Sequence, residues 1–335
     1  MTPQVSRRAL VAGGLLSAGS LAAGASALAT PAQPDEPASY PPEAAPGPIG
    51  PLDPPPGVSV RLRSSGQGLV ATLEPTAEAL GPLPLVVYHH GMGRDTQAIL
   101  RRPSTAPIRA HLLATALSGY RVVVSDFGGF LWGNPRNHRA IDAVIATHRR
   151  TGGAPGRVAL IGSSMGGAAV LSYAGTHRRE VACVAALQPA TDLVALQRQG
   201  VPVDAAFPGG FSNARHGDRA NPTAIARDPR SLYRGIPIHV WTGTLDHIAT
   251  PERVRRFAAL VRRGPNPRIA TTMLRGLPHG DLLVGAVPTE DLQGFLRRHL
   301  PPAHLLPGPD VDEPAGGIDL GPEPQRTLVT ARPQP

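Results

Sequence analysis

One segment constrains this chain more than any other: Arg157-Val158-Ala159-Leu160-Ile161-Gly162-Ser163-Ser164-Met165-Gly166-Gly167-Ala168-Ala169-Val170. An apolar, partly β-branched run enters Gly162-Ser163-Ser164-Met165-Gly166, and a run of small residues at helical spacing leaves it. This is a strand, a tight turn and a helix around a G-x-S-x-G pattern. A serine at the tip of such a turn is held in a strained backbone conformation and presents its hydroxyl outward. Glycines two residues before and after it avoid a clash across the turn. The helix that follows aims its first amides at negative charge developing beside the serine. In a chain with 38 glycines the five-residue pattern alone arises easily by chance. The flanking strand and helix, with the doubled Gly166-Gly167, make Ser164 the candidate nucleophile. The alternative is a Gly/Ser turn in an ordinary βα unit.

The surrounding pattern predicts where that turn sits. Val58–Arg63 and Leu69–Leu73 read as an antiparallel pair joined by Ser64-Ser65-Gly66-Gln67. Apolar runs without alternation follow at Leu85–Tyr88, Arg121–Ser125, Val158–Ile161, Val181–Leu187, Pro237–Trp241 and Arg268–Leu274. Helical patterns separate them, at His111–Leu117, Ala140–Arg149, Ala168–Ala174, Glu252–Arg262 and Glu290–His299. Strands that read as continuous apolar runs, spaced by helices, form a parallel sheet covered on both faces. In such sheets the reactive groups gather at the carboxyl ends of the strands.

An acid and a base are therefore expected just past strand ends. After the run ending at Trp241 comes Thr242-Gly243-Thr244-Leu245-Asp246-His247; after the last strand comes Leu274-Arg275-Gly276-Leu277-Pro278-His279-Gly280. The order Ser164, Asp246, His279 is that of a serine–acid–histidine triad. His279 is the expected base, and Asp246 the group that fixes its tautomer. Asp192 is the competing acid, and His247 the competing base. Two backbone amides are needed for an oxyanion. Met165, after the candidate nucleophile, supplies one. Met92, in His89-His90-Gly91-Met92-Gly93, supplies the other, with Gly91 allowing close approach. His89 and His90 are expected to brace that loop, since no further residues complete a metal-ligand spacing. Trp132, in the loop after Ser125, is a candidate substrate wall or a loop anchor, and Asn134 before Pro135 a turn or cap residue.

The ends read differently. Ser6-Arg7-Arg8-Ala9-Leu10 precedes an apolar Gly/Ala-rich run to about Leu28, and Ala27-Leu28-Ala29 offers a cleavage site. Residues 1–29 are thus expected to be a twin-arginine signal peptide, with a retained anchor as the alternative, and the protein to be secreted or held at the cell envelope. Residues 30–57 are a Pro-rich linker and 302–335 a Pro-rich disordered tail, which leaves 58–301 as one catalytic domain. All 33 basic residues are arginine, so the formal net charge of +9 reflects base composition more than a partner. No arginine cluster is interleaved with aromatics, and aromatics are 4% of the chain, so no nucleic-acid partner is expected. Nor is stable membrane association of the mature form, beyond a mild attraction to anionic surfaces. Cys183, the single cysteine, reads as a core residue.

Taken together, the His90-Gly91 loop, the Ser164 elbow, the Asp246 turn and Pro278-His279-Gly280 make residues 58–301 resemble a serine α/β-hydrolase. The Trp132-Gly133-Asn134-Pro135 stretch with the elbow resembles secreted or cytosolic actinobacterial hydrolases of unassigned substrate. The chain departs from the usual esterase and lipase pattern at Ser163, where histidine is common. The resemblance implies an α/β-hydrolase fold: a mostly parallel sheet of about eight strands, helices on both faces, and a short lid over about 192–235. It also implies an acyl-enzyme and no cofactor. The lid segment is short and polar, which points to a fairly open site. The expected function is hydrolysis of a small carboxylic ester. A peptidase or amidase with the same triad, a non-catalytic binding protein and a perhydrolytic side activity are the other readings.

Overall fold

The computed structural model describes residues 54–305 except 67, 229 and 231. The expected signal peptide, most of the linker and nearly all of the tail lie outside the described residues. Eight strands form one sheet: β1 (Val58–Ser65), β2 (Gly68–Pro75), β3 (Leu85–His89), β4 (Arg121–Ser125), β5 (Val158–Ser163), β6 (Val181–Leu187), β7 (Ile238–Gly243) and β8 (Ile269–Leu274). Their order is β1-β2-β4-β3-β5-β6-β7-β8. β2 runs antiparallel to both neighbours, and every other pairing is parallel.

The apolar runs explain why the sheet is buried on both sides. Strand side chains alternate faces, so a run with no polar member needs cover twice. Val87, Leu160, Val184 and Val240 face one cluster; Val86, Ile161, Ala185 and Trp241 face the other. The second face is covered by α1 (Thr96–Arg101), α2 (Ala106–Leu117) and the C-terminal helix. The first face is covered by α3 (Pro135–Arg150), α4 (Met165–Thr176) and a later helix. Cys183 sits fully buried inside β6, where burial pushes its thiol up to about 12. It is a packing residue, as expected.

Two expectations are corrected. Residues 192–235 are not a sparse polar lid. They form α5 (Leu193–Arg198), α6 (Asn213–Ala220) and α7 (Pro222–Ala226). Leu193, Leu196, Val201, Val203, Phe207, Phe211 and Ala220 join Trp132, Met165 and Ala168 in a third apolar cluster. These apolar residues are spaced irregularly through turns, so no periodicity advertises them. The second correction concerns the boundary of the tail. The Leu80 amide donates to the His304 carbonyl at 2.8 Å, the Ala303 amide donates to the Gly119 carbonyl at 3.2 Å, and Leu305 pairs with Ala79. Residues 302–305 therefore belong to the folded unit. The chain closes with α8 (Pro251–Arg263), α9 (Asp281–Gly285) and α10 (Thr289–His299). Among the described residues no helix is long and apolar enough to cross a membrane.

Candidate active site

The site is built at the carboxyl ends of β3, β5, β6, β7 and β8. Ser164 is the one residue between β5 and α4, with φ 53° and ψ −115°. This left-handed, strained backbone lifts its side chain out of the sheet. The glycines around it are required by backbone approach. A Cβ on Gly162 would lie 2.4 Å from the Gly166 carbonyl oxygen, and one on Gly166 would lie 2.1 Å from the carbonyl oxygen of His89. The second contact is not across the turn. It is with the end of β3, so Gly166 lets the elbow helix dock beside the loop that carries Met92.

Three side chains separated widely in sequence meet here. The Ser164 Oγ lies 2.8 Å from His279 Nε2, and His279 Nδ1 lies 2.7 Å from Asp246 Oδ2. The Asp246 side chain is completely buried, whereas His279 keeps 17% of its side-chain surface. Asp246 is also held from behind: its Oδ1 accepts the amides of Ile248 at 2.9 Å and Ala249 at 2.7 Å. A buried carboxylate so engaged must direct its remaining oxygen at the imidazole, which makes Nδ1 the donor and leaves the Nε2 lone pair toward Ser164. Asp192 is elsewhere engaged: it caps α5, its Oδ1 accepting the Ala195 amide at 3.2 Å. His247 points to solvent.

The β3 loop closes the other side. A Cβ on Gly91 would touch the Ser164 Cβ at 3.4 Å, so this loop lies directly against the serine. The Met92 and Met165 amides make no turn or loop hydrogen bond among the described residues. His89 braces the loop. Its ring stacks on Phe127 at 4.5 Å, its Nδ1 bonds the His90 carbonyl at 3.1 Å, and Asn137 Nδ2 donates to its Nε2 at 2.8 Å. Burial, with the neighbouring His90, lowers the His89 pKa to about 3, so the ring is a neutral prop. His90 is likewise held below its usual range by burial, and its Nδ1 bonds the Gly91 carbonyl at 2.8 Å. Among the described residues there is no His/Cys/Asp/Glu group fit to hold a metal ion.

Trp132 is where the structure departs from a substrate wall. It is 1% exposed and packs in the cap cluster beside Met165 and Ala168. It supports the floor of the site from inside and offers no face to a substrate. Asn134 does the expected capping, its Oδ1 accepting the Asn137 amide at 2.9 Å, and its Nδ2 also donates to the Ala206 carbonyl at 2.6 Å. The residues that stand exposed at this edge are others: Phe130 after β4, Leu245 beside Asp246, and Leu282 after His279.

Sequence reasoning missed one further residue, Gln188. It is buried at the end of β6 with φ 42°. Its Oε1 accepts the Gly280 amide at 2.7 Å, and its Nε2 reaches Ser163 Oγ at 3.4 Å. Gln188 thus ties the residue after the histidine to the residue before the serine. A glutamine just past a buried strand was the available signal, and it resembles any loop amide until its partners are known.

The sequence of residues 84–227 matches the alpha/beta hydrolase fold family. The chain has the α/β-hydrolase fold. None of the curated proteins is similar enough to match it. Among solved structures, the chain is similar to an S-formylglutathione hydrolase from Agrobacterium tumefaciens. The TM-score is 0.59 at 14% identity, over 75% of this chain and 99% of that one. An esterase from Pyrococcus furiosus gives 0.52 at 15% identity, over 72% and 92%. Oligopeptidase B from Trypanosoma brucei, with covalently bound antipain, gives 0.54 at 14% identity, over 75% of this chain but 38% of that one. At these identities the likeness is one of fold. An α/β-hydrolase scaffold carries many chemistries, and what this one does must be argued from its own residues.

Proposed function

We propose that this α/β-hydrolase is a serine hydrolase that cleaves carboxylic esters through an acyl-enzyme. The observation that carries the reading is the continuous path from Ser164 Oγ through His279 to the buried Asp246. Ser164 attacks the ester carbonyl and passes its proton to His279 Nε2. The carbonyl oxygen becomes an oxyanion facing the Met92 and Met165 amides. Collapse breaks the ester C–O bond, and His279 returns the proton to the departing alcohol. Water then repeats the sequence on the acyl-Ser164 carbonyl and releases the acid. Asp246 stabilises the imidazolium that forms twice per cycle. No cofactor is needed for these steps.

The acyl group is proposed to be short. Phe207 and Phe211, the largest apolar residues of the cap, are 4% and 5% exposed and packed against each other, so they are used internally and do not line an acyl channel. Each buried methylene is worth about 0.8 kcal/mol, and without such a channel that gain stops early, at about two to six carbons. Export by the twin-arginine route is part of the same proposal and rests on Arg7, Arg8 and the apolar run after them.

A fluorophosphonate is expected to label the protein once, at Ser164. Labelling that persists undiminished in Ser164→Ala would sink the assignment. A panel of p-nitrophenyl esters from acetate to palmitate, set beside aminoacyl anilides, separates the substrate classes. Rates that keep rising through palmitate point to a lipase, and anilide turnover matching the esters points to a peptidase.

A further inference from the structure

We propose that the pole of the molecule opposite Ser164 is a binding site for closely spaced phosphate groups, formed by Arg157, Arg178, Arg179 and Arg234. The four come from three separate loops. Arg157 immediately precedes β5, Arg178 and Arg179 lead into β6, and Arg234 leads into β7. Because β5, β6 and β7 are parallel neighbours, these loops share the amino-terminal edge of the sheet. At about 3.3 Å per residue, six-residue strands put that edge about 20 Å from the triad. There the four arginines line one depression of about 400 Å³, together with Gly235 and Ile236 among the described residues.

Among the described residues no carboxylate lines this depression. All four side chains are exposed, and none makes an ion pair or side-chain hydrogen bond among the described residues. Some arginines elsewhere are engaged, as Arg149 with Glu180, Arg121 with Glu74 and Arg94 with Asp281, while others such as Arg262 and Arg263 on α8 also stand exposed. What sets these four apart is their gathering around one hollow. A cation just past a helix C-terminus is favourable by itself, which accounts for Arg178 and Arg179 after α4. It does not account for Arg157 or Arg234, or for all four surrounding one hollow. Like charges gathered without a counter-charge repel one another, and a bound anion removes that cost. The guanidinium fork suits phosphate oxygens, two N–H donors to one group. Four forks around one depression suit two or more adjacent phosphates over a single carboxylate. Gly235 brings no side chain into the hollow, and buried Ile236 gives it a firm base.

Calorimetric titration of the full chain with inorganic pyrophosphate tests this. Saturable binding is expected that weakens steeply as salt is raised, since exposed charges are screened. Arg178→Gln with Arg234→Gln should weaken it about tenfold or more. Arg262→Gln with Arg263→Gln removes the same charge from exposed α8 positions and should leave it nearly unchanged. Absence of saturable binding, or equal loss in both double variants, overturns the site. Turnover of a p-nitrophenyl ester should be the same in all three proteins, which verifies folding independently of the ligand. Vesicles of phosphatidylglycerol and phosphatidylcholine identify the source of the phosphate. Retention that pyrophosphate reverses means a lipid headgroup, and no retention alongside intact pyrophosphate binding means a soluble phosphate ligand.

Discussion

The two ends of β5, β6 and β7 are built on opposite principles. At the carboxyl ends, polar groups are used on one another: Asp246 takes two amides and an imidazole, and Gln188 joins two loops. At the amino ends, four guanidinium groups stand in solvent without a protein partner among the described residues. The first arrangement fixes atoms as closely as the proposed proton transfer and attack would require, because the cost of ordering is met on folding. The second keeps donors free, as suits capture of a mobile charged group whose own charge does the ordering. Substitutions at the two ends should therefore differ in kind.

The largest effect is expected from Asp246→Asn, which leaves the shape but favours the wrong imidazole tautomer. kcat should fall by roughly 10³ to 10⁴ with little change in KM. Asp192→Asn keeps the oxygen that caps α5 and should change stability by no more than about a few tenths of a kcal/mol, with kcat intact. A kcat collapse in Asp192→Asn instead would move the acid to the earlier strand.

Acid should have the next largest effect. Burial holds His89 and His138 at about 3, well below the ordinary histidine value of 6.5, and the unfolded chain takes up those protons more readily. Stability is then full above pH 6.5 and declines as pH falls from there toward 3. At pH 4.5 each ring should cost about 2–3 kcal/mol. A fall in Tm of about 10 °C or more between pH 7.5 and 4.5 is expected. His89→Gln should blunt that fall, and a slope unchanged in this variant would put the acid sensitivity elsewhere.

Gly166→Ala pushes a methyl group into the His89 carbonyl, where the backbone has little room to yield. A loss of about 2–3 kcal/mol is expected, together with loss of fluorophosphonate labelling as the elbow separates from the β3 loop. An unfolding midpoint equal to the wild type would show that the two backbones are not so close.

Gln188→Ala should have a smaller effect, lowering kcat about tenfold by freeing the Gly280 amide, with KM nearly constant. Gln188→Glu keeps an oxygen for that amide and loses the donor toward Ser163, so it should recover part of the rate. Equal loss in both variants would mean that packing, not the tether, is what Gln188 supplies. Smallest of all, Arg178→Gln with Arg234→Gln should change unfolding free energy by no more than about 0.5 kcal/mol. A clear change there would mean that these side chains have protein partners and that the two ends are not so different.

Much was legible before the fold was known, and the reason is local. A strand buried on both faces has to be apolar throughout, so Leu85–Tyr88 and Val181–Leu187 declare themselves. Ser164, Asp246 and His279 each lie in a short loop just past such a strand, and parallel strands carry those loops to one edge whatever else the chain does. Other features depended on which loops are neighbours. The strand order places β6 between β5 and β7, and this alone lets Gln188 reach Ser163 and Gly280, and gathers Arg157, Arg178, Arg179 and Arg234 at the opposite edge. It took the packed chain to turn Trp132 inward, because its cover comes from residues thirty or more positions away. The sequence by itself determined the sheet, its burial and which residue types stand just past the strand ends, since each is a property of a few adjacent residues. Tertiary structure decided the tether, the cap cluster and the arginine pole, since each is a meeting of segments that nothing in the local sequence brings together.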